Sequence, residues 1–80
     1  MTITVLLFAS YADAFGRTRL DVAAPAGATV ADIVARIRSE RGAERLPPRP
    51  VVAVNREYAE YDRVLAAHDE VALIPPVAGG

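Results

Sequence analysis

The chain has no cysteine, no tryptophan and no lysine. Without cysteine, no disulfide can staple the fold and no thiolate can hold a metal. Nor can the chain carry sulfur as a cysteine persulfide. All nine basic residues are arginines, so no side-chain amine is available to accept an acyl group. Compositional bias alone is enough to account for that preference. The formal net charge is −1, which leaves no basic field for nucleic acid. No apolar run approaches the ~20 residues that cross a bilayer, so no membrane partner is expected. The opening Met1-Thr2-Ile3-Thr4 has no basic n-region and no cleavage site, which makes the cytoplasm the expected location.

What is present is 80 residues, half of them apolar. That is one small domain with a thin core. Thr2 to Ala9 reads as a strand, with Ile3, Val5 and Leu7 on one face and Leu6 and Phe8 on the other. Ser10 is a candidate cap for a short helical turn through Phe15, which Gly16 ends. Arg17 to Ala23 alternates, with Thr18, Leu20 and Val22 inward, as an antiparallel neighbour of the first strand. Pro25-Ala26-Gly27 is a turn.

The one clear helix follows Thr29. Val30, Ile33, Val34 and Ile37 form a single apolar stripe. Thr29 with Asp32 makes a capping box, Asp32 and Arg36 are spaced as an ion pair, and Gly42 is the expected stop. Ala43 to Pro50 holds three prolines and reads as a loop. Val51 to Asn55 is a strand apolar on both faces, which points to a central or covered position. A turn begins at Asn55. A short strand is expected near Tyr58, a helical turn at Arg63-Val64-Leu65, a tight turn at His68-Asp69, and a last strand from Glu70 to Ile74. The fold class is α+β: a mixed sheet of four to five strands with one main helix packed on one face. A β-grasp order fits, with the last strand beside the first. The expected organisation is a domain over 1–74 and an extended tail over 75–80.

The tail is the chemical signal. Pro75 and Pro76 end the strand ladder, because they lack N–H donors and fix φ, and they favour an extended exit. Val77, Ala78, Gly79 and Gly80 then shrink stepwise. Six extended residues reach about 20 Å, enough to enter a partner's active site. Glycines pass through a narrow channel because they have no Cβ. A terminal carboxylate is a poor electrophile and must be activated before it can accept sulfur. Two terminal glycines arise by chance in roughly one chain in two hundred. The combination with a strand and a Pro-Pro exit is more specific.

The ending Asp69-Glu70-Val71-Ala72-Leu73-Ile74-Pro75-Pro76-Val77-Ala78-Gly79-Gly80 resembles that of the small, sulfur-carrying subunit of molybdopterin synthase. Members of that family (MoaD) are ubiquitin-like β-grasp proteins. Val5-Leu6-Leu7-Phe8-Ala9 resembles the family's first strand, and Ala53-Val54-Asn55 its strand before a variable turn. Two departures stand out. His68 occupies a position where the family has glycine, and Ala12-Asp13 replaces a frequent Arg-Glu. The resemblance implies that an E1-like adenylyltransferase uses ATP to activate the Gly80 carboxylate. A sulfur donor then converts it to a thiocarboxylate. Pro75, Pro76, Val77, Ala78 and Gly79 carry it into the large catalytic subunit, where sulfur passes to the molybdopterin dithiolene. The implied assembly is a heterotetramer, and the chain itself binds no cofactor.

The strand phases add a docking surface. The helix covers one sheet face, which leaves Leu6, Phe8, Ala72 and Ile74 on the other. Phe8, Ile74 and Tyr58 form the expected patch for the large subunit, where the resemblance also places an apolar interface. The alternative is that Phe15, Tyr58 and Tyr61 fold over this face. His68 lacks triad partners and co-ligands and reads as a solvated turn residue. Arg56 and Arg63 are candidate contacts to acidic groups on a partner. Other readings share the tail: a sulfur carrier for the thiazole of thiamine, a ubiquitin-like modifier, or a binding module with an incidental Gly-Gly.

Overall fold

The computed structural model describes residues 1–76. The elements are β1 (Thr2–Leu7), α1 (Ala9–Phe15), β2 (Arg19–Ala23), α2 (Val30–Ile37), β3 (Val51–Val54), β4 (Glu57–Tyr58) and β5 (Glu70–Ile74), with a 3-10 turn at Ala43–Arg45. The strands form one five-stranded sheet in the order β2-β1-β5-β3-β4. β1 runs antiparallel to β2 and parallel to β5. β3 runs antiparallel to both β5 and β4. The last strand therefore lies beside the first, as a β-grasp order requires.

The core follows the strand phases. Ile3, Val5 and Leu7 of β1, Leu20 of β2, Val52 and Val54 of β3, and Val71 and Leu73 of β5 are buried. They meet Val30, Ile33, Val34 and Ile37 of α2, the helical stripe expected from the sequence. Each fully buried aliphatic side chain contributes about 1.5–3 kcal/mol. Val22 is half-buried and packs against this cluster.

Several local expectations are met, and several are corrected. Thr29 caps α2 through a complete capping box: its hydroxyl accepts the Asp32 N–H (3.3 Å) and the Asp32 carboxylate accepts the Thr29 N–H (2.9 Å). That engagement holds the Asp32 carboxylate at the helix start, and no Asp32–Arg36 ion pair occurs among the described residues. α2 stops at Ile37 rather than running to Gly42, because the chain tightens there. Ser39 N–H donates to Arg36 O (3.2 Å) and Glu40 N–H to Ile37 O (2.9 Å), both three residues back.

Gly42 instead opens the 3-10 turn at φ 100. A Cβ built there would stand 2.3 Å from the Ala14 carbonyl oxygen, so glycine lets this loop close on α1. Ser10 does not cap α1. Ala9 turns the chain out of β1 at φ 46, so Phe8 takes the cap position and its carbonyl accepts from Tyr11 N–H (2.9 Å). Gly16 ends α1 in the left-handed region, as expected.

The helical turn expected at Arg63–Leu65 is also corrected. This stretch is extended and pairs with the entry to α2: Val30 N–H donates to Arg63 O (3.0 Å), and Leu65 N–H to Ala28 O (2.8 Å). The proline-rich loop is pinned from outside, because its prolines have no N–H with which to bond it locally. The Arg38 guanidinium donates to the carbonyls of Leu46 (3.4 Å), Pro47 and Pro48 (2.9 Å). The Tyr61 hydroxyl donates to Pro50 O, and the Arg49 guanidinium stacks 4.3 Å from the Tyr61 ring centroid.

Candidate functional site

β-strand alternation puts every second residue on the face opposite α2. Register aligns those residues into rows. In the middle row, Leu6 faces Ala72, Ala72 faces Ala53, and Ala53 faces Tyr58. At the end where the chain leaves β5, Val51 faces Ile74, and Phe8 follows directly after β1. At the opposite end Thr4 faces Glu70, and Arg56 joins from the β3–β4 turn. The two alanines form a low floor and the larger side chains stand around it. The result is an open hollow of about 540 Å³.

This face has no cover among the described residues. Phe8, Val51 and Tyr58 are 46%, 51% and 80% exposed. Phe15 and Tyr61 pack against the core on the other side instead of folding over it. Phe8, Tyr58 and Ile74 thus border one hollow, drawn from the end of β1, from β4 and from β5. Val51 extends the apolar end and was not singled out from sequence. Its strand is apolar on both faces, which reads as burial on both. β4 is only two residues long and pairs with Ala53 and Val54, so it stops short of Val51.

The polar end is held by a side-chain clamp. The Asp69 carboxylate accepts the Ala66 N–H (2.8 Å) and the Asn55 side-chain amide (2.9 Å). The Asn55 side-chain Oδ1 accepts the Glu70 N–H (2.9 Å), and the Asn55 backbone N–H donates to Glu70 O (2.8 Å). The clamp fixes the β3–β4 turn against the start of β5. The Ala66 N–H, and after it the Asn55 amide, hold the Asp69 carboxyl below its usual range. Asp69 and Glu70 are not paired carboxylates: one closes a turn and the other borders the hollow. His68 is exposed and left-handed (φ 73), a conformation that favours glycine.

Pro75 and Pro76 follow β5 directly. Pro76 borders a second hollow of about 400 Å³ with Ser10, Tyr11, Leu46 and Pro47. Val77, Ala78, Gly79 and Gly80 lie outside the described residues. Among those described, no charged side chain is buried and no group of three metal-ligating side chains occurs. No helix among them is long and apolar enough to cross a membrane. The described site is an open face, with an apolar half beside the tail exit and a charged half away from it.

Comparison with known proteins places this geometry. SAMP1 (small archaeal modifier protein 1) of Haloferax volcanii is 30% identical over the whole of both chains, with a TM-score of 0.86. A protein assigned as subunit 1 of the molybdopterin converting factor of Pyrococcus furiosus is 25% identical over 96% of this chain and 99% of that one, with a TM-score of 0.81. Subunits 1 and 2 of the Helicobacter pylori molybdopterin-converting factor form a complex. A match there covers both chains fully at 20% identity and a TM-score of 0.76, a likeness of fold. Residues 5–80 match the ThiS family, a span that takes in all five strands except the first three residues of β1. The chain belongs to the ThiS family of ubiquitin-fold sulfur carriers.

Proposed function

We propose that this chain carries sulfur as a thiocarboxylate on Gly80 and donates it in the making of the molybdopterin dithiolene. The observation that carries the reading is the apolar half of the open face. Phe8, Val51 and Ile74 stand where β5 releases Pro75 and Pro76, so a partner seated on the face also meets the tail. The family membership and the likeness to molybdopterin converting factor subunit 1 support the pathway.

The chemistry starts from an anionic carboxylate. An E1-like adenylyltransferase joins it to the α-phosphate of ATP and releases pyrophosphate. A hydrosulfide-equivalent donor attacks the acyl carbon. The acyl C–O bond breaks, AMP leaves with its electron pair, and a C–S bond remains. The thiocarboxylate is then the nucleophile in the large catalytic subunit, which Pro75, Pro76, Val77, Ala78 and Gly79 allow it to reach. This chain supplies the reacting terminus and the docking face. The partners supply the catalytic side chains.

Intact mass tests the reading. Incubation with the adenylyltransferase, ATP and a sulfur donor should add the mass of one oxygen-to-sulfur exchange. Removal of Gly80 should abolish the gain, and an unchanged mass in the full chain would refute sulfur carriage. A second reading, a ubiquitin-like modifier, is favoured by the 30% identity to SAMP1. Lysine-linked conjugates in cell extract, lost on removal of Gly80, would support it over the first.

A further inference from the structure

The β3–β4 connection is a two-residue loop, Asn55-Arg56, and both residues have positive φ (51 and 72). That is the backbone pattern of a type I′ hairpin, whose hand matches strand twist. Asparagine is well suited to the first position. The second strongly favours glycine, because a Cβ is crowded there. This chain places arginine in it. A glycine would meet the local demand with less strain, so the turn itself does not explain the side chain.

The position of Arg56 offers an explanation. It borders the open hollow together with Tyr58 and Glu70, at the end opposite Phe8 and Ile74. The hydrogen bonds and ion pairs give its guanidinium no partner among the described residues. Glu70 is tied through its backbone to Asn55, and its carboxylate is also left without a described partner. The hollow therefore has an apolar end and an end carrying one cation and one anion that are unpaired among the described residues. A guanidinium offers a planar fork suited to a carboxylate. Glu70 repels a second carboxylate placed on its own side, which fixes where the first can sit.

We propose that Arg56 is a specificity residue of the docking face: it receives a side-chain carboxylate from a protein partner whose apolar side chain sits against Phe8, Val51 and Ile74. The partner meant is the large subunit named under Proposed function, and the inference rests on that reading. Two attachment points at opposite ends of the hollow orient the partner along it and direct its active site towards the end where Pro75 leaves β5. The left-handed arginine is tolerated because binding uses it.

Stability and affinity are then expected to move in opposite directions on one substitution, Arg56→Gly. The melting temperature of the free chain should rise by about 2–6 °C as strain is relieved. Affinity for the purified large subunit, measured by titration calorimetry, should fall about 5–20-fold, with a flatter salt dependence. Arg56→Glu should weaken binding further, and substituting the partner carboxylate with lysine should restore it. A glycine variant that binds like wild type overturns the inference alone. So does one that loses stability and affinity together, because the arginine would then be structural. A wild-type chain that does not bind the large subunit, by contrast, removes the proposed partner and the reading in Proposed function with it.

Discussion

Val51 of β3 lies directly opposite Ile74 of β5, on the face that α2 does not cover. Ile74 is the last residue of β5, so this pair marks the place where the chain turns from sheet into tail. Half of the Val51 surface is open because β4 ends before reaching it.

Substituting Val51 with glutamate should therefore separate binding from folding. The side chain already faces water, so the melting temperature should move by no more than ~3 °C. Affinity for the large subunit should drop at least tenfold, since a carboxylate would be desolvated in an apolar contact. Calorimetric titration beside a thermal melt reads both, and unchanged affinity would place the partner elsewhere.

Gly42 should be intolerant of even one added carbon. Alanine there combines a φ of 100 with a Cβ 2.3 Å from the Ala14 carbonyl oxygen. The expected loss is about 2–4 kcal/mol, read from urea denaturation. A loss below ~0.5 kcal/mol would mean that the loop does not need its close approach to α1.

Asp69 gives the fold a defined acid response. Its carboxyl is held below the ordinary value of 3.8 by the Ala66 N–H and the Asn55 amide. The folded value lies below the unfolded one, so the stabilisation is complete above the ordinary value. It is lost as pH falls through the lowered one. Asp69→Asn should melt earlier than wild type at neutral pH. The two melting temperatures should converge as the pH drops below the usual carboxylate range. A constant gap down to the lowest pH would show that charge on Asp69 is irrelevant.

Arg38 should resist conservative replacement. One guanidinium serves the carbonyls of Leu46, Pro47 and Pro48, a fork that an ammonium cannot reproduce. Arg38→Lys should cost about 1–2 kcal/mol and raise amide exchange around Leu46. Lysine that matches wild type in both would show that the loop holds itself.

The helix and the sheet order were legible because their signals are local and periodic. Val30, Ile33, Val34 and Ile37 recur at helical spacing, and Leu20 and Val71 alternate with polar or small neighbours. Thr29 and Asp32 are three residues apart, so their capping box could be read directly. Apart from the stop at Ile37, what escaped depends on contacts distant in sequence. The stop at Ile37 arises from three-residue-back bonds, while Gly42 answers to Ala14. The extended course of Arg63 to Leu65 answers to Ala28 and Val30. Val51 looked like a core residue because composition cannot report that a neighbouring strand is two residues long. Arg56 was visible as a candidate partner contact, but its positive φ was not.

β5 pairs with β1 on one side and β3 on the other, so the middle of the sheet is the last part of it to be synthesised. Until Glu70 to Ile74 dock, β1 and β3 have no shared neighbour and the hollow has no floor at Ala72. Long-range closure of this kind is slow relative to helix formation. The strand that completes the fold is also the strand that launches Pro75. Under the proposed function, a partner that must grip the face to reach the tail would thereby inspect the chain for completion: an unfinished or misfolded copy would display no hollow, and its terminus would go unread.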